Sequence, residues 1–337
     1  MTVGAAWRDG VRRVNAAPFV LAGMFAVTLL IALPLAIALR GMIEAHLGDS
    51  LTASAVADGN DLDWWREFSS QASGLGTTFV PSIVGFSAVL DNLAGLLDNL
   101  PMAATVAGAT AAWMIVWSFL SGGVLDRYAR QRPTRSHGFF AACGTHFWRF
   151  LRLGVLAWLC YGLLYWLIHP WLFDNLYPWL TRDLTVERTA FLIRLVLYLV
   201  FGVLLIACNL VFDYARIRTV VEDRHSAIGS LVAGARFVGR HPQAVRLYLL
   251  NGLVFLLLVV AYALLSPGAP GGFAIWVALA IGQLYILLRH YVKLLFYASQ
   301  IAYFQGALAH ASYAAGPQVE WPDSPSAELI SNTKPQI

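Results

Sequence analysis

Charge is scarce in this chain of 337 residues: Asp, Glu, Lys and Arg together make up 12%, about half the share of an ordinary soluble domain. Cysteine is scarcer still. Cys143, Cys160 and Cys208 are the only three, and no pair has zinc-ribbon or CxxC spacing, so a disulfide framework is excluded and a small buried apolar role remains. Catalytic signatures are missing too: no Walker loop, no GxGxxG ahead of a helix, no HExxH, no GxSxG. What the chain has in excess is apolar surface. Hydrophobic residues reach 58% and the mean hydropathy is +0.64. A core of this size cannot hide that much from water. The solvent must be a bilayer, which excludes a soluble enzyme and a disordered chain.

A hydrocarbon layer about 30 Å thick needs roughly 20 apolar residues in a helix. Six segments approach that length: Pro18–Leu39, Met102–Leu125, Leu151–Ile168, Thr189–Val211, Leu247–Leu265 and Phe273–Leu288. The last runs on past Arg289, His290 and Lys293 into Leu294–Ala309, read as the same helix leaving the lipid. The expectation is an all-α polytopic membrane protein with about six transmembrane helices. Residues 1–315 form a single integral membrane domain, with an outer loop and interfacial helix over 41–100, and the Pro-containing tail 316–337 reads as disordered. Basic residues set the orientation. With the N-terminus inside, the inner segments hold 18 basic and 8 acidic residues, a net of +10; the outer ones hold 5 and 11, a net of −6. Both termini are therefore expected in the cytoplasm, and the net charge of +4 reports topology, not nucleic-acid binding. The length of the first apolar run, and the amphipathic start Val3, Trp7, Val11 and Val14 before it, favour an anchored span over a cleaved signal peptide.

The first outer segment holds the acids Glu44, Asp49, Asp58, Asp61, Asp63 and Glu67 around Trp64-Trp65, then the apolar stretch 77–100. The tryptophans are expected at the headgroup level. Leu90-Asp91-Asn92-Leu93 recurs as Leu97-Asp98-Asn99-Leu100, which at seven-residue spacing puts both Asp-Asn pairs on one helix face. That helix either lies in the interface or re-enters toward a polar cavity, where Asp91 and Asp98 are candidate cavity residues. Arg194, a turn and a half into the fourth span, either snorkels or pairs with one of those acids. Between the third and fourth spans, Pro178 and Asp183 read as turn and helix-start signals.

At the inner side the chain echoes itself. Asp126-Arg127-Tyr128-Ala129-Arg130 and Asp213-Tyr214-Ala215-Arg216 each end a span, and each leads into an amphipathic helix and another span. Ser136 and Ser226 are the expected N-caps. The stripes are Phe139, Phe140, Cys143, Phe147 and Phe150 in one helix, and Ile228, Leu231, Val232, Ala235 and Val238 in the other. Two cytoplasmic amphipathic interfacial helices and a possible parallel duplication follow. Asp126 with Arg130, and Asp213 with Arg216, have the spacing of interfacial ion pairs. Arg149, Arg152, Arg236 and Arg240 are placed to touch anionic inner-leaflet lipid headgroups. His137 and His146 are expected off the stripe that carries Cys143, which argues against a shared metal. Glu222, Asp223 and His225 suit a helix start, and Asn209 and Asn251 suit interhelical hydrogen bonds.

The run from Asp213 to His241, with Glu222, Ser230, Arg236 and Arg240 inside it, resembles the membrane domain found beside glycerophosphoryl diester phosphodiesterases and its stand-alone bacterial relatives. The likeness is good over about 200–265 and topological elsewhere. It implies the span–amphipathic helix–span architecture; the phosphodiesterase activity of such proteins belongs to a separate barrel, for which no segment here is large enough. The functional expectation is a non-catalytic inner-membrane scaffold or accessory subunit without a cofactor, in contact with the lipid bilayer and open to a membrane-protein partner or a second copy. A transporter or lipid-handling protein is the alternative.

Overall fold

The computed structural model describes residues 1–48, 50–57, 61–79, 85–100, 104–132, 135–266 and 274–310; the tail 316–337 lies outside them. All regular structure among these residues is helical. In chain order it comprises α1 (Val3–Asn15), α2 (Pro18–Leu47), α3 (Ala53–Ala57), α4 (Leu62–Gln71), α5 (Gly85–Leu97), α6 (Ala104–Arg130), α7 (Ser136–Leu163), α8 (Tyr177–Thr181), α9 (Glu187–Val221), α10 (Ala227–Arg240), α11 (Pro242–Leu265) and α12 (Ala274–His310). Six of these, α2, α6, α7, α9, α11 and α12, are long and apolar enough to cross a membrane, so the chain is a multi-pass membrane protein.

Local chemistry sets the boundaries. Pro18 and Pro242 sit in the first turns of α2 and α11, where a missing N–H is harmless. Ser226 caps α10, its Oγ accepting from the Gly229 amide at 3.1 Å. The expected cap at Ser136 does not form: Arg135 holds the N-cap position and no side chain caps it. The amphipathic stretch that begins there is continuous with the third span, because nothing between Arg149 and Leu163 interrupts the helical ladder. After the second amphipathic stretch His241-Pro242 supplies the break, and α10 and α11 are separate.

Beyond Leu163 the helix widens into π turns at Leu164–Ile168 and Trp171–Leu176 before α8. Wide turns tolerate Pro170 and Pro178, which lack the amide an α-ladder requires. Pro178 therefore continues a helix instead of turning the chain. Asp183 starts none either, since the N-cap of α9 is Val186.

The bundle has two unlike ends. At the end where Arg127, Arg130, Arg216 and Arg218 gather, ten of the eleven residues Leu294–Phe304 are buried, and α1, α6, α9, α10 and α11 pack around them. α12 has 37 residues, about 55 Å at 1.5 Å per residue, so it outruns the hydrocarbon and forms the core of this basic end. Toward the other end the helices turn large apolar side chains outward. Phe191, Leu199 and Val203 of α9 are each more than 60% exposed, as lipid-facing residues are.

Small residues set the close approaches, as in membrane bundles generally. Gly122 and Gly123 of α6 admit His146 and Cys143 of α7, and Gly234 of α10 lies against Val211 and Ala215 of α9. His146 therefore shares a buried face with Cys143 instead of lying off it, since residues three apart are neighbours on a helix. The two echoed segments meet the same fate: Tyr128 and Tyr214 are both buried with unbonded hydroxyls. Asn209 Nδ2 donates to the Tyr248 hydroxyl at 2.6 Å, and Asn251 Nδ2 to Ser299 Oγ at 2.9 Å, the interhelical bonds their positions suggest.

Candidate anion site at the basic end

α10 folds back along the end of α9, and between them opens a cavity of about 600 Å³. Its cationic lining is Arg218, Arg224, Arg236 and Arg240, with His241 at one end and Ile228 and Val232 as apolar wall. Local sequence explains the grouping. Arg236 and Arg240 are one helical turn apart on α10, Arg218 points back from the last turn of α9, and Arg224 belongs to the connecting loop.

Two of the four guanidinium groups are committed. Arg218 Nη2 donates to Glu222 Oε1 at 2.8 Å and its Nη1 to the Ala233 carbonyl at 2.7 Å. Arg224 Nε donates to the same Glu222 carboxylate. Arg236 and Arg240 are exposed and no bond ties either to the described residues. Four guanidinium groups against one carboxylate leave three positive charges in excess. His241 Nδ1 donates to the Phe237 carbonyl at 3.0 Å, and its ring stacks on Phe237 with centroids 4.2 Å apart. The arrangement can hold an anion bearing oxygen acceptors, with an apolar portion against Ile228 and Val232. A smaller recess of about 330 Å³ adjoins it, sharing Arg240 and His241.

The other expected lipid contacts separate. Arg152 is exposed. Arg149 is not free for a headgroup: its side chain is 15% exposed and pairs with Asp223, while Nη2 donates to His225 Nε2 at 2.8 Å. The Arg149 guanidinium holds the Asp223 carboxyl below its ordinary range. The acid–histidine cluster thus locks α7 to the α9–α10 turn. Asp223 takes a left-handed backbone, φ +49°, as Asp and Asn tolerate better than most residues.

The echoed acids pair as spaced. Arg130 Nε lies 2.7 Å from Asp126 Oδ1, and Arg216 Nη1 lies 3.6 Å from Asp213 Oδ1. Both carboxylates are buried.

At the far end, α5 stops one turn short of where its sequence repeat suggests. Asn99 is left-handed, φ +54°, and the Leu100 amide reaches back to the Gly95 carbonyl at 3.0 Å, the 6→1 bond of a Schellman stop. Asp91 is on the helix and Asp98 at its C-cap, the Asp98 amide still donating to the Ala94 carbonyl at 2.8 Å. Asp98 accepts from the Tyr198 hydroxyl, which in turn accepts from Arg194 Nη2 at 3.1 Å. Arg194 itself lies 4.0 Å from Asp98. Tyr165 and His169 bond the Leu96 and Leu97 carbonyls at 3.0 Å each, fastening the end of α5 to the third transmembrane helix. Asp91 is exposed. The paired tryptophans of α4 also divide: Trp64 is buried, stacked on Phe68 and edge-on to His46 of α2, and only Trp65 is partly exposed.

Sequence reasoning missed Arg13. It is 7% exposed and donates from Nη1 to the Tyr128 carbonyl at 2.8 Å and to Gln305 Oε1 at 2.9 Å. Gln305 Nε2 donates to the Ala129 carbonyl at 2.9 Å. Two of the carbonyls that end α6 without helical partners, those of Tyr128 and Ala129, are thereby satisfied. Burial pulls the Arg13 guanidinium below its ordinary value, and Asp9, 2.8 Å away, opposes the shift. The sequence signal was the helical spacing of Ala6, Gly10, Arg13 and Val14.

Among the described residues no three His, Cys, Asp or Glu side chains gather as metal ligands. Compared with protein-family models, curated proteins and solved structures, the chain matches none.

Proposed function

We propose that this multi-pass protein is a non-catalytic component of the bacterial inner membrane that engages anionic lipid headgroups at its cytoplasmic face, serving as a scaffold or accessory subunit for a membrane-protein partner or a second copy. The observation that carries this reading is the α10 cavity, where Arg236 and Arg240 have no partner among the described residues and stand beside the apolar wall of Ile228 and Val232. A headgroup phosphate accepts bidentate guanidinium bonds, and acyl carbons meet the apolar wall. Kinship with the membrane domain found beside glycerophosphoryl diester phosphodiesterases belongs to the same proposal and rests on the Asp213–His241 run. The transport or lipid-handling alternative leans on the parallel repeat and on Asp91 and Asp98; Asp98 is occupied in fastening α5, which weakens the second ground.

The test is native mass spectrometry of the protein released from nanodiscs of mixed anionic and zwitterionic lipid. Retained anionic lipid is expected, and its loss in the double variant Arg236→Glu, Arg240→Glu. Equal retention of zwitterionic lipid, or retention unchanged in the variant, overturns the reading.

A further inference from the structure

Helix α12 is described as far as His310, less than one helical turn past Ala307. Ala307 lines the smaller recess together with Arg240, His241 and Tyr303, and the larger cavity shares Arg240 and His241 with that recess. The chain from residue 311 onward therefore leaves α12 beside the guanidinium groups that have no partner among the described residues.

Its composition complements the cavity. Residues 311–333 hold three acids, Glu320, Asp323 and Glu328, and neither Lys nor Arg. The cavity gathers four guanidinium groups against the Glu222 carboxylate, so three excess positive charges face three negative ones. Trp321 stands between Glu320 and Asp323, which places an indole among the carboxylates. Ile228 and Val232 offer that indole an exposed apolar wall, and a neighbouring guanidinium offers its face a cation–π partner. Reach is sufficient. Glu320 is ten residues beyond His310, up to about 35 Å of extended chain, and the recess beside the end of α12 adjoins the cavity.

We propose that the acidic segment 311–333 docks in the α10 cavity, its carboxylates on Arg236 and Arg240 and Trp321 against Ile228 and Val232, where it competes with anionic lipid headgroups. The competition rests on the headgroup reading; the docking does not. A short tether gives the segment an effective concentration of about millimolar, and its partners are exposed and screened by salt. Docking is therefore reversible. A membrane rich in anionic lipid displaces the segment, and one poor in it leaves the cavity filled by the chain itself.

Carbodiimide coupling of the purified full chain tests the docking, because it joins a carboxylate to an amine only where the two touch, forming an amide with loss of water. The chain has two lysines, Lys293 and Lys334, so an introduced amine is read over a low background. In neutral detergent without lipid, Arg240→Lys is expected to yield peptides joining residue 240 to Glu320, Asp323 or Glu328. The yield should be several-fold that at residue 8 in Arg8→Lys, and should fall as salt is raised. Arg8 is exposed on α1, which packs on the same α12, so it controls for tethering alone. Equal yields at the two positions overturn the docking, as does indifference to salt or a link found only between two chains. Anionic lipid is expected to suppress the link and zwitterionic lipid to leave it; a link that survives anionic lipid overturns the competition. Native mass spectrometry of the triple variant Glu320→Gln, Asp323→Asn, Glu328→Gln separates the two readings. More anionic lipid retained than in the wild type supports competition. Equal retention with no link removes the segment and leaves the headgroup reading standing. A link with no lipid retained by either protein removes the headgroup reading and leaves the docking.

Discussion

Arg149 and Arg152 stand three residues apart on α7 and do different work: one is held by Asp223 and His225, the other is exposed. Their spacing on a basic stretch gave both the same reading, because charge composition does not say which guanidinium finds a carboxylate from a turn 74 residues away. The Arg149–Asp223 pair has a pH signature with a definite sign. The folded Asp223 carboxyl lies below its ordinary value of 3.8, so its contribution is fully present above that pH and is lost as pH falls through the lowered value. Asp223→Asn keeps a residue tolerant of φ +49° and removes only the charge. Since the Asp223 side chain is 72% exposed, the variant is expected to lose less than about 1 kcal/mol at neutral pH. Unfolding midpoints measured from neutrality into acid should converge with the wild type below the carboxylate range. Parallel profiles throughout would show that the pair contributes nothing.

At the scale of elements, the six spans were legible because lipid demands long apolar helices and tolerates few charges, a signal carried by each segment alone. The Ser226 cap was legible for the same local reason. The docking of α1 was not. Its amphipathic spacing suits an interfacial helix, and what selects α12 is a fit between backbones. A Cβ added at Gly10 would stand 2.7 Å from Ser299 Cβ and 2.8 Å from its Cα and amide nitrogen. Neither helix can move aside easily, because Arg13 ties α1 to the ends of α6 and α12. Gly10→Ala is therefore expected to destabilise the basic end by about 1–3 kcal/mol. A lowered unfolding midpoint and faster proteolysis of residues 1–17 would register it. Gly4→Ala, with nothing within 4 Å of the added carbon, is the control and should be neutral or slightly stabilising. Equal midpoints for the two variants would mean the crossing at Ser299 is loose.

The whole molecule is asymmetric in a way that joins its packing to its charge. The buried core lies at one end, around Leu294–Phe304, and the arginine cavity and the Arg13 network lie at that end too. The other end carries α4, with Trp64 and Phe68 packed on His46, and the α5 cap fastened to Tyr165, His169 and Tyr198. Basic residues resist translocation, and those flanking short loops decide which end stays inside. With the arginines gathered at the end that also holds α1, the basic end is expected in the cytoplasm. Asp63, exposed on α4, is expected on the opposite side. Single cysteines placed by Asp63→Cys and Arg8→Cys, in a background with Cys143, Cys160 and Cys208 replaced, test this with a membrane-impermeant maleimide. The Asp63→Cys protein should label in intact spheroplasts and the Arg8→Cys protein only after permeabilisation. The reverse pattern would place the α10 cavity on the outer leaflet, where it would face a surface poorer in anionic lipid and lose the partner its arginines are suited to bind.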